Sequence, residues 1–268
     1  MKRAVVGLVA LAFTCASVVA CSGSQDQDTR PWKLTWSDEF DGASVDTTKW
    51  TIETGIAFGT QQKDFDTDRP ENIALKDDML VFTARKEAFQ GNDYTSGRMK
   101  SAGKITRQFG RFEARLKIPR GQGMWPAFWL LGDDYDTAGW PACGEIDVME
   151  NRGADVTTVH GSIHGPGYFG GSSYTQAFKL DGTATFSDDF HVFAIEWEQG
   201  VIRWYVDDVL YQTRSADTLP RSKSWVFDRP FYMILDLAVG GQYGGDPDDT
   251  TVFPQTMLVD YVRIYERE

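Results

Sequence analysis

The chain has 268 residues and a formal net charge of −12, from 39 acidic residues against 27 lysines and arginines. This acidity argues against the phosphate backbone of nucleic acids and against anionic membrane surfaces as partners, and it says little about a neutral polysaccharide. Nine tryptophans, within an aromatic content of 13%, indicate a large core, a sugar-stacking surface, or both.

The N-terminus predicts an export signal. Lys2 and Arg3 precede an uncharged apolar run over residues 5–19, which is short for a membrane span and typical of a secretory signal. The run ends Val-Val-Ala-Cys, which resembles the lipobox of bacterial lipoproteins and would make Cys21 the acylated first residue of the mature chain. An ordinary signal peptide with an incidental cysteine is the alternative.

We therefore predict a signal peptide over residues 1–20, a flexible polar tether over 21–31 and one domain over 32–268. The protein would be exported, either as a cell-surface lipoprotein or as a secreted protein. Its contact with a membrane would be through the lipid anchor alone, and we expect a monomer. Cys143 then remains as a lone cysteine, so no intrachain disulfide framework is expected.

Period-two patterns predict an all-β domain. Apolar side chains at 112, 114, 116 and 118 alternate with charged ones, which is typical of a strand with one buried face. Further strands are predicted over 191–197, 201–206, 209–213, 231–239 and 259–265. Many strands separated by Gly, Asp and Pro turns indicate two packed antiparallel sheets.

A run of acids lies at residues 145–150. In a strand, Glu145 and Asp147 point to one face and Ile146 to the core. Simple alternation would send Glu150 into the core, where an unpaired carboxylate is costly. One extra residue, a β-bulge near Val148-Met149, would return Glu150 to the acidic face, and we predict such a bulge.

Three carboxyls on one face repel one another, which raises the proton affinity of at least one of them. Glycoside cleavage needs one ionised and one protonated carboxyl, although a solvated acidic face would show the same spacing. Trp125 and Trp129 are separated by an even number of residues, so both could face one side of a strand. There they could stack on the C–H faces of sugars; burial in the core is the alternative.

Residues 121–132 together with 144–151 resemble glycoside hydrolase family 16, in its laminarinase-like branch. Residues 38–42, 94–98, 191–197 and 258–263 are similar to other motifs of that family, so the resemblance covers nearly all of 32–268. It implies a concanavalin-like β-jelly-roll sandwich of two antiparallel sheets, with a substrate cleft across the concave sheet.

The resemblance also implies roles for single residues. Glu145 matches the catalytic nucleophile, Glu150 the general acid/base, and Asp147 the residue that tunes the nucleophile. Trp125 and Trp129 match aromatic platforms on the glycone side of the cleft. Asn72 and Arg98 match polar residues of the cleft in that family. His164 is on the next predicted strand and would lie near the acid, and Tyr243 is at a position that could line the cleft. Cys143 is interpreted as a small residue beside the site.

The longer Glu-x-Asp-x-x-Glu form goes with laminarinases, agarases and carrageenases, and residues 160–168 look like bacterial endo-1,3-β-glucanases. Few basic residues disfavour a sulfated substrate. The resemblance thus implies retaining, endo-acting hydrolysis of β-1,3-glucan without a cofactor for catalysis. The alternatives are mixed-linkage β-1,3-1,4-glucan as substrate, or a β-glucan-binding surface protein that does not cut. Asp236 replaces an asparagine frequent in laminarinases, and Tyr243 stands where tryptophan is frequent.

Asp260 lies in an apolar row, since Leu258, Val262 and Ile264 share its face under simple alternation. A buried carboxylate needs a partner or a metal. Members of the family often bind a structural calcium through an aspartate of this last strand, and calcium prefers oxygen ligands. Glu39 and Asp260 are therefore the candidate calcium ligands, with a hydrogen bond from Asp260 to a backbone amide as the alternative.

Overall fold

A computed structural model describes residues 30–56 and 60–268. Pro31–Glu268 form one compact unit. The predicted signal peptide, the lipidation site Cys21 and nearly all of the tether lie outside the described residues. Within the described ranges, no helix has the length and apolar character needed to span a membrane.

Strands dominate the described part of the chain. In chain order they are β1 (Trp32–Asp38), β2 (Thr51–Glu53), β3 (Asp64–Asp66), β4 (Ile73–Lys76), β5 (Met79–Phe89), β6 (Asn92–Ser96), β7 (Arg98–Lys100), β8 (Thr106–Arg107), β9 (Gly110–Lys117), β10 (Met124–Gly132), β11 (Glu145–Asn151), β12 (Thr158–His164), β13 (Tyr174–Lys179), β14 (His191–Glu198), β15 (Val201–Val206), β16 (Val209–Ser215), β17 (Phe231–Val239) and β18 (Gln255–Arg267). Short helical turns complete the list: α1 (Tyr135–Ala138), α2 (Gly241–Gly244) and 3₁₀ turns at Gly170–Ser172 and Ala216–Thr218.

These strands form two sheets. The sheet that we call the cleft sheet has the order β13-β12-β11-β10-β17-β7-β2, with β8 paired to β17. The second, the back sheet, has the order β16-β15-β14-β9-β18-β5-β6-β3, with β1 on β18 and β4 on β5. The pairs are antiparallel except β3 with β6. The predicted β-jelly-roll sandwich is confirmed.

Alternating side chains fill the space between the sheets. On β9, Phe112, Ala114 and Leu116 are buried, as the period-two pattern predicts. The predicted strands after β9 are also present, and tight turns join β14 to β15 and β15 to β16. Asp207 and Asp208 both have positive φ, 47° and 62°, which is the backbone of the mirror-image turns that suit twisted hairpins.

Strand β17 is an interior strand of the cleft sheet. All nine of its residues are buried, because it lies between β10 on one side and β7 and β8 on the other and is covered on both faces. Such double burial explains its nearly continuous apolar sequence. Asp236 is the exception, a carboxyl in the middle of this strand.

Candidate active site

The acidic strand β11 contains the predicted bulge. Toward β10, Trp129 is opposite Asp147 and Phe128 is opposite Met149, so Val148 is the extra residue. Toward β12, three steps from Asp147 to Glu150 match only two steps on the neighbour. Pairing is irregular on both sides at the same place, which confirms the bulge at Val148-Met149.

The bulge places the apolar side chains of β11 in the core and the acids at its two ends on the other face. Ile146, Val148 and Met149 belong to the buried core between the sheets. Glu145 and Glu150 are partly exposed on the other face. An extra residue in a strand therefore reconciles an apolar underside with acids at both ends of a six-residue run.

A hydrogen bond from the back sheet also stabilises the bulge. Trp204 of β15, in the back sheet, is fully buried and donates its indole Nε1–H to the backbone oxygen of Asp147 at 2.8 Å. Gly161 on β12 leaves room for this indole, since a Cβ atom there would come within 2.5 Å of it. A backbone carbonyl at the irregular position thus has a partner, which a buried carbonyl requires.

His164 of β12 lies beside two of the acids. Its Nε2 is 3.0 Å from Asp147 Oδ2 and 3.6 Å from Glu145 Oε1. Its Nδ1 accepts the Gly170 amide hydrogen at 3.0 Å, so in the neutral ring the proton is on Nε2, facing the acids. The sequence placed His164 near the acid/base; the structure places it closest to Asp147, and a positive charge on its ring lowers the pKa of Glu145 and of Glu150 against the effect of burial.

Burial and crowding act on all three carboxyls. Burial, followed by the neighbouring charge of Asp147, raises the pKa of Glu145 and of Glu150 to about 8. Burial and then the charge of Asp236 raise the pKa of Asp147 to about 8. Carboxyls this close cannot all ionise at neutral pH, so the group retains protons that its members share. At least one carboxyl on this face is therefore protonated at neutral pH, and the raised proton affinity agrees with the sequence-based expectation.

Trp125 holds one end of the acidic group. Its Nε1 donates to Glu150 Oε1 at 2.8 Å, and its ring centre lies 5.2 Å from that of Tyr243. The Tyr243 hydroxyl is 2.7 Å from Nδ1 of His160, the residue paired with Glu150 on β12. The structure therefore brings Trp125 and Tyr243 together beside Glu150, as walls of the cleft.

Trp129 lies on the same face of β10, toward β17. Its Nε1 donates to Asp236 Oδ1 at 2.7 Å, and the Arg98 guanidinium lies 5.0 Å from its ring centre. Arg98 is held in turn by Glu53, with 2.8 Å between Nε and Oε2. The indole is thus fixed at its edge by a carboxylate and on its face by a cation, and both predicted residues, Trp129 and Arg98, meet in the cleft.

Asn72 is not brought to this cleft. Its side chain is fully buried, and its oxygen accepts from Thr67 and Arg69. Its amide nitrogen donates to the Thr83 carbonyl and to Thr95. The expectation that Asn72 binds substrate is not met, because every polar position of its side chain already has a protein partner.

The predicted calcium ligands, Glu39 and Asp260, are each bound to an arginine. Arg263 holds both oxygens of Glu39, at 3.0 and 2.8 Å, and Arg115 holds Asp260 at 2.6 Å. The pairing of β18 with β9 shifts between Val259 and Tyr261, so Asp260 is itself at a bulge and is partly exposed. Two carboxylates that each bind an arginine do not fit a shared calcium ion, and the apolar row predicted around Asp260 is wrong.

Trp140 is a cleft residue that the sequence pattern did not reveal. It is 43% exposed, lies 6.1 Å from the His164 ring and meets Phe169 edge-on at 5.2 Å. Its side chain hydrogen-bonds Glu145 and lowers the pKa of that carboxyl against the effect of burial. A tryptophan five residues before the first acid was the available signal, but it stands in a loop without periodicity.

Cys143, two residues before Glu145, has no role in the chemistry. It is fully buried in a small apolar cluster with Leu131, Tyr232 and Ile234. Burial raises the pKa of its thiol to about 11, so it is not a thiolate nucleophile at neutral pH. The interpretation as a small residue beside the site agrees with this position.

Comparison with known proteins gives a consistent picture. The model of the family described as "Glycosyl hydrolases family 16" matches residues 60–263. A beta-glucanase of Rhodothermus marinus is 41% identical over 269 aligned residues, which cover 95% of this chain and 93% of the relative.

Solved structures agree with this family. The laminarinase catalytic domain of Thermotoga maritima has 45% identity and a TM-score of 0.85, over 88% of this chain and 99% of that one. An endo-beta-1,3-glucanase of Pyrococcus furiosus has 43% identity and a TM-score of 0.86, over 90% of this chain and 97% of that one.

Proposed function

Because the chain belongs to glycosyl hydrolase family 16, we propose that it is a retaining, endo-acting hydrolase of laminarin-like β-1,3-glucan. The observation that carries this proposal is the bulge of β11, which places Glu145 and Glu150 on one face with Asp147 between them. Retaining enzymes need two carboxyls, about 5–5.5 Å apart, that flank the scissile bond, one ionised and one protonated.

In the first step, the Glu145 carboxylate attacks the anomeric carbon while Glu150 donates its proton to the glycosidic oxygen. The C–O bond to the leaving sugar breaks, and a glycosyl ester forms on Glu145. Trp125 orients the acid through its hydrogen bond to Glu150. Trp140 and His164 lower the pKa of Glu145, which favours its ionised, nucleophilic form.

In the second step, Glu150 acts as a base. It takes a proton from water, the water oxygen attacks the anomeric carbon, and the ester bond to Glu145 breaks. The charges of Glu145 and Glu150 repel each other in the free enzyme. Once Glu145 is esterified, that repulsion is gone, so the pKa of Glu150 falls and the residue is suited to its change of role.

The substrate proposal is supported by the aromatic walls, Trp125, Trp129 and Trp140, and by the names of the relatives. A substrate panel tests it: laminarin, mixed-linkage glucan, lichenan, agarose and carrageenan. We expect short oligosaccharides from laminarin early in digestion, as endo cleavage requires, and the β-anomer as the first product in proton NMR. An α-anomer formed first, or cleavage of agarose or carrageenan in preference to laminarin, would contradict the proposal.

We further propose that the enzyme is exported and anchored through an acyl group on Cys21. The lipobox-like sequence before Cys21 supports this. In detergent phase separation, the full chain expressed in a bacterium is expected in the detergent phase and Cys21→Ser in the aqueous phase. Cys143→Ser is the matched control, because that thiol is buried in the domain and should not affect partitioning. An unchanged distribution of Cys21→Ser would exclude the anchor.

A further inference from the structure

Asp236 and Glu150 flank the same residue. On β10, Ala127 is paired with Glu150 of β11 on one side and with Asp236 of β17 on the other. Adjacent strands are about 4.8 Å apart, so the two acidic residues lie roughly 10 Å from each other across the sheet. Ala127 offers only a methyl group between them. The sheet thus carries a carboxyl two strands away from the acid/base with no bulky side chain in the gap.

The Asp236 carboxyl is held in place and is 6% exposed. Trp129 donates to it at 2.7 Å, and the nearby positive charge of Arg98 lowers its pKa against the effect of burial. Burial nevertheless leaves the pKa of Asp236 above its usual value, so the negative charge develops toward alkaline pH, in partly dehydrated surroundings that screen its field weakly.

Other charged groups surround Asp236. They are Arg98 and Lys100 of β7, Glu53 of β2, Asp64 and Asp66 of β3, and Asp147 and Glu150 of β11. Both cations are bound to Glu53, at 2.8 and 2.5 Å, so Arg98 is shared between Glu53 and Asp236. Arg98 therefore neutralises the charge of Asp236 only in part, and that charge acts across the sheet on Asp147 and Glu150.

We propose that Asp236 is a positioning residue of the active site, which acts through Glu150 and keeps the acid/base protonated to higher pH than a neutral residue would. The inference rests on the proposed function, because it concerns the acid/base of that reaction. We therefore assign to Asp236 an extension of the working range of this enzyme toward alkaline pH.

The test is the pH profile of kcat/KM on laminarin for Asp236→Asn. Asparagine keeps an oxygen that can accept from Trp129, so the platform is preserved while the charge is removed. We expect the alkaline limb to move down by roughly one pH unit, from a unit charge about 10 Å away in a partly buried site.

Asp66→Asn is the matched control. Asp66 is a buried carboxyl of the same size in the same group of charges, but it lies on β3 at the end of the back sheet, whereas Glu150 lies in the cleft sheet. Its alkaline limb should therefore coincide with that of the wild type. Asp236→Ser provides a second neutral variant should the asparagine form fail to fold, with folding checked by circular dichroism.

An unshifted alkaline limb in a folded, active Asp236→Asn or Asp236→Ser enzyme would overturn the inference. So would a rise in KM at all pH values with the limb unchanged, since that result would make Asp236 a substrate contact. Neither result affects the assignment of Glu145, because the enzyme would still cleave laminarin. Failure of the proposed function would instead appear as absence of laminarin cleavage by the wild type.

Discussion

Replacing Glu145 by glutamine is expected to reduce kcat on laminarin by about a thousandfold or more, because an amide cannot form the glycosyl ester. Glutamine has the size of glutamate, so the neighbouring Trp140 and His164 can stay in place. The measurement is release of reducing ends from laminarin, together with binding of the glucan in affinity electrophoresis. Loss of release with binding retained is the expected result.

A suitable control is Glu113→Gln. Glu113 is also a buried carboxyl, but it lies on β9 in the back sheet and binds Arg111 and Tyr265. It has no contact with the acidic strand in the described structure, so its substitution should leave hydrolysis within about twofold when the variant is folded. Undiminished release by Glu145→Gln would refute the assignment of the nucleophile.

Replacing Glu150 by alanine should lower kcat on laminarin by about 10²- to 10⁴-fold, since proton transfer to the leaving sugar is lost. An aryl glycoside with a good leaving group needs no acid in the first step. With such a substrate the glycosyl ester on Glu145 should accumulate, and azide should restore turnover by entering the space left by the side chain. The expected product is the β-glycosyl azide, identified by NMR.

The companion variant Glu145→Ala separates the two roles. It lacks the nucleophile, so azide can attack only from the face opposite the leaving group, and the α-glycosyl azide is expected. An α-azide from Glu150→Ala, or a β-azide from Glu145→Ala, would reverse the two assignments. The anomer of the product therefore reports which carboxyl lies on which side of the reacting carbon.

The β11 bulge was predictable from sequence because regular alternation would have buried a carboxylate without a partner, which is energetically costly. With Glu145 and Asp147 on the outer face, regular alternation would have buried Glu150 beside Ile146. Only a local irregularity avoids this, and the register of β11 against both neighbours shows it. The prediction needed no knowledge of distant residues.

The same reasoning failed at Asp260, although the pattern was alike. A carboxylate in an apparent apolar row can be moved to the other face by a bulge, paired with a polar partner or bound to a metal ion. The alternation shows that the carboxylate would be buried, but not which of these three arrangements the protein uses. In the structure the strand shifts register at Asp260, and Arg115 of the adjacent strand β9 supplies the partner. A salt bridge between residues 145 positions apart leaves no trace in either local sequence.

The positions of Asn72 and Trp140 could likewise not be predicted from local sequence patterns. The role of Asn72 is set by Thr67, Thr83 and Thr95, which come from different segments that meet only in the fold. Trp140 reaches Glu145 from a loop whose course no periodicity predicts. Strand faces could be inferred from alternation, whereas loop positions and contacts between distant segments required the structure.

The hydrogen bond from Trp204 to the Asp147 carbonyl links the geometry of catalysis to the interior of the sandwich. The back sheet contributes no acid to the cleft trio, yet one of its tryptophans helps to set where the bulge lies. A loosening of the packing between the layers, by heat or by a repacking mutation, would therefore disturb the spacing of the carboxyls before either layer separates. The activity therefore depends on the packing of the whole sandwich. Grafting the acidic strand alone onto another scaffold would omit the contact from the back sheet that helps to position it.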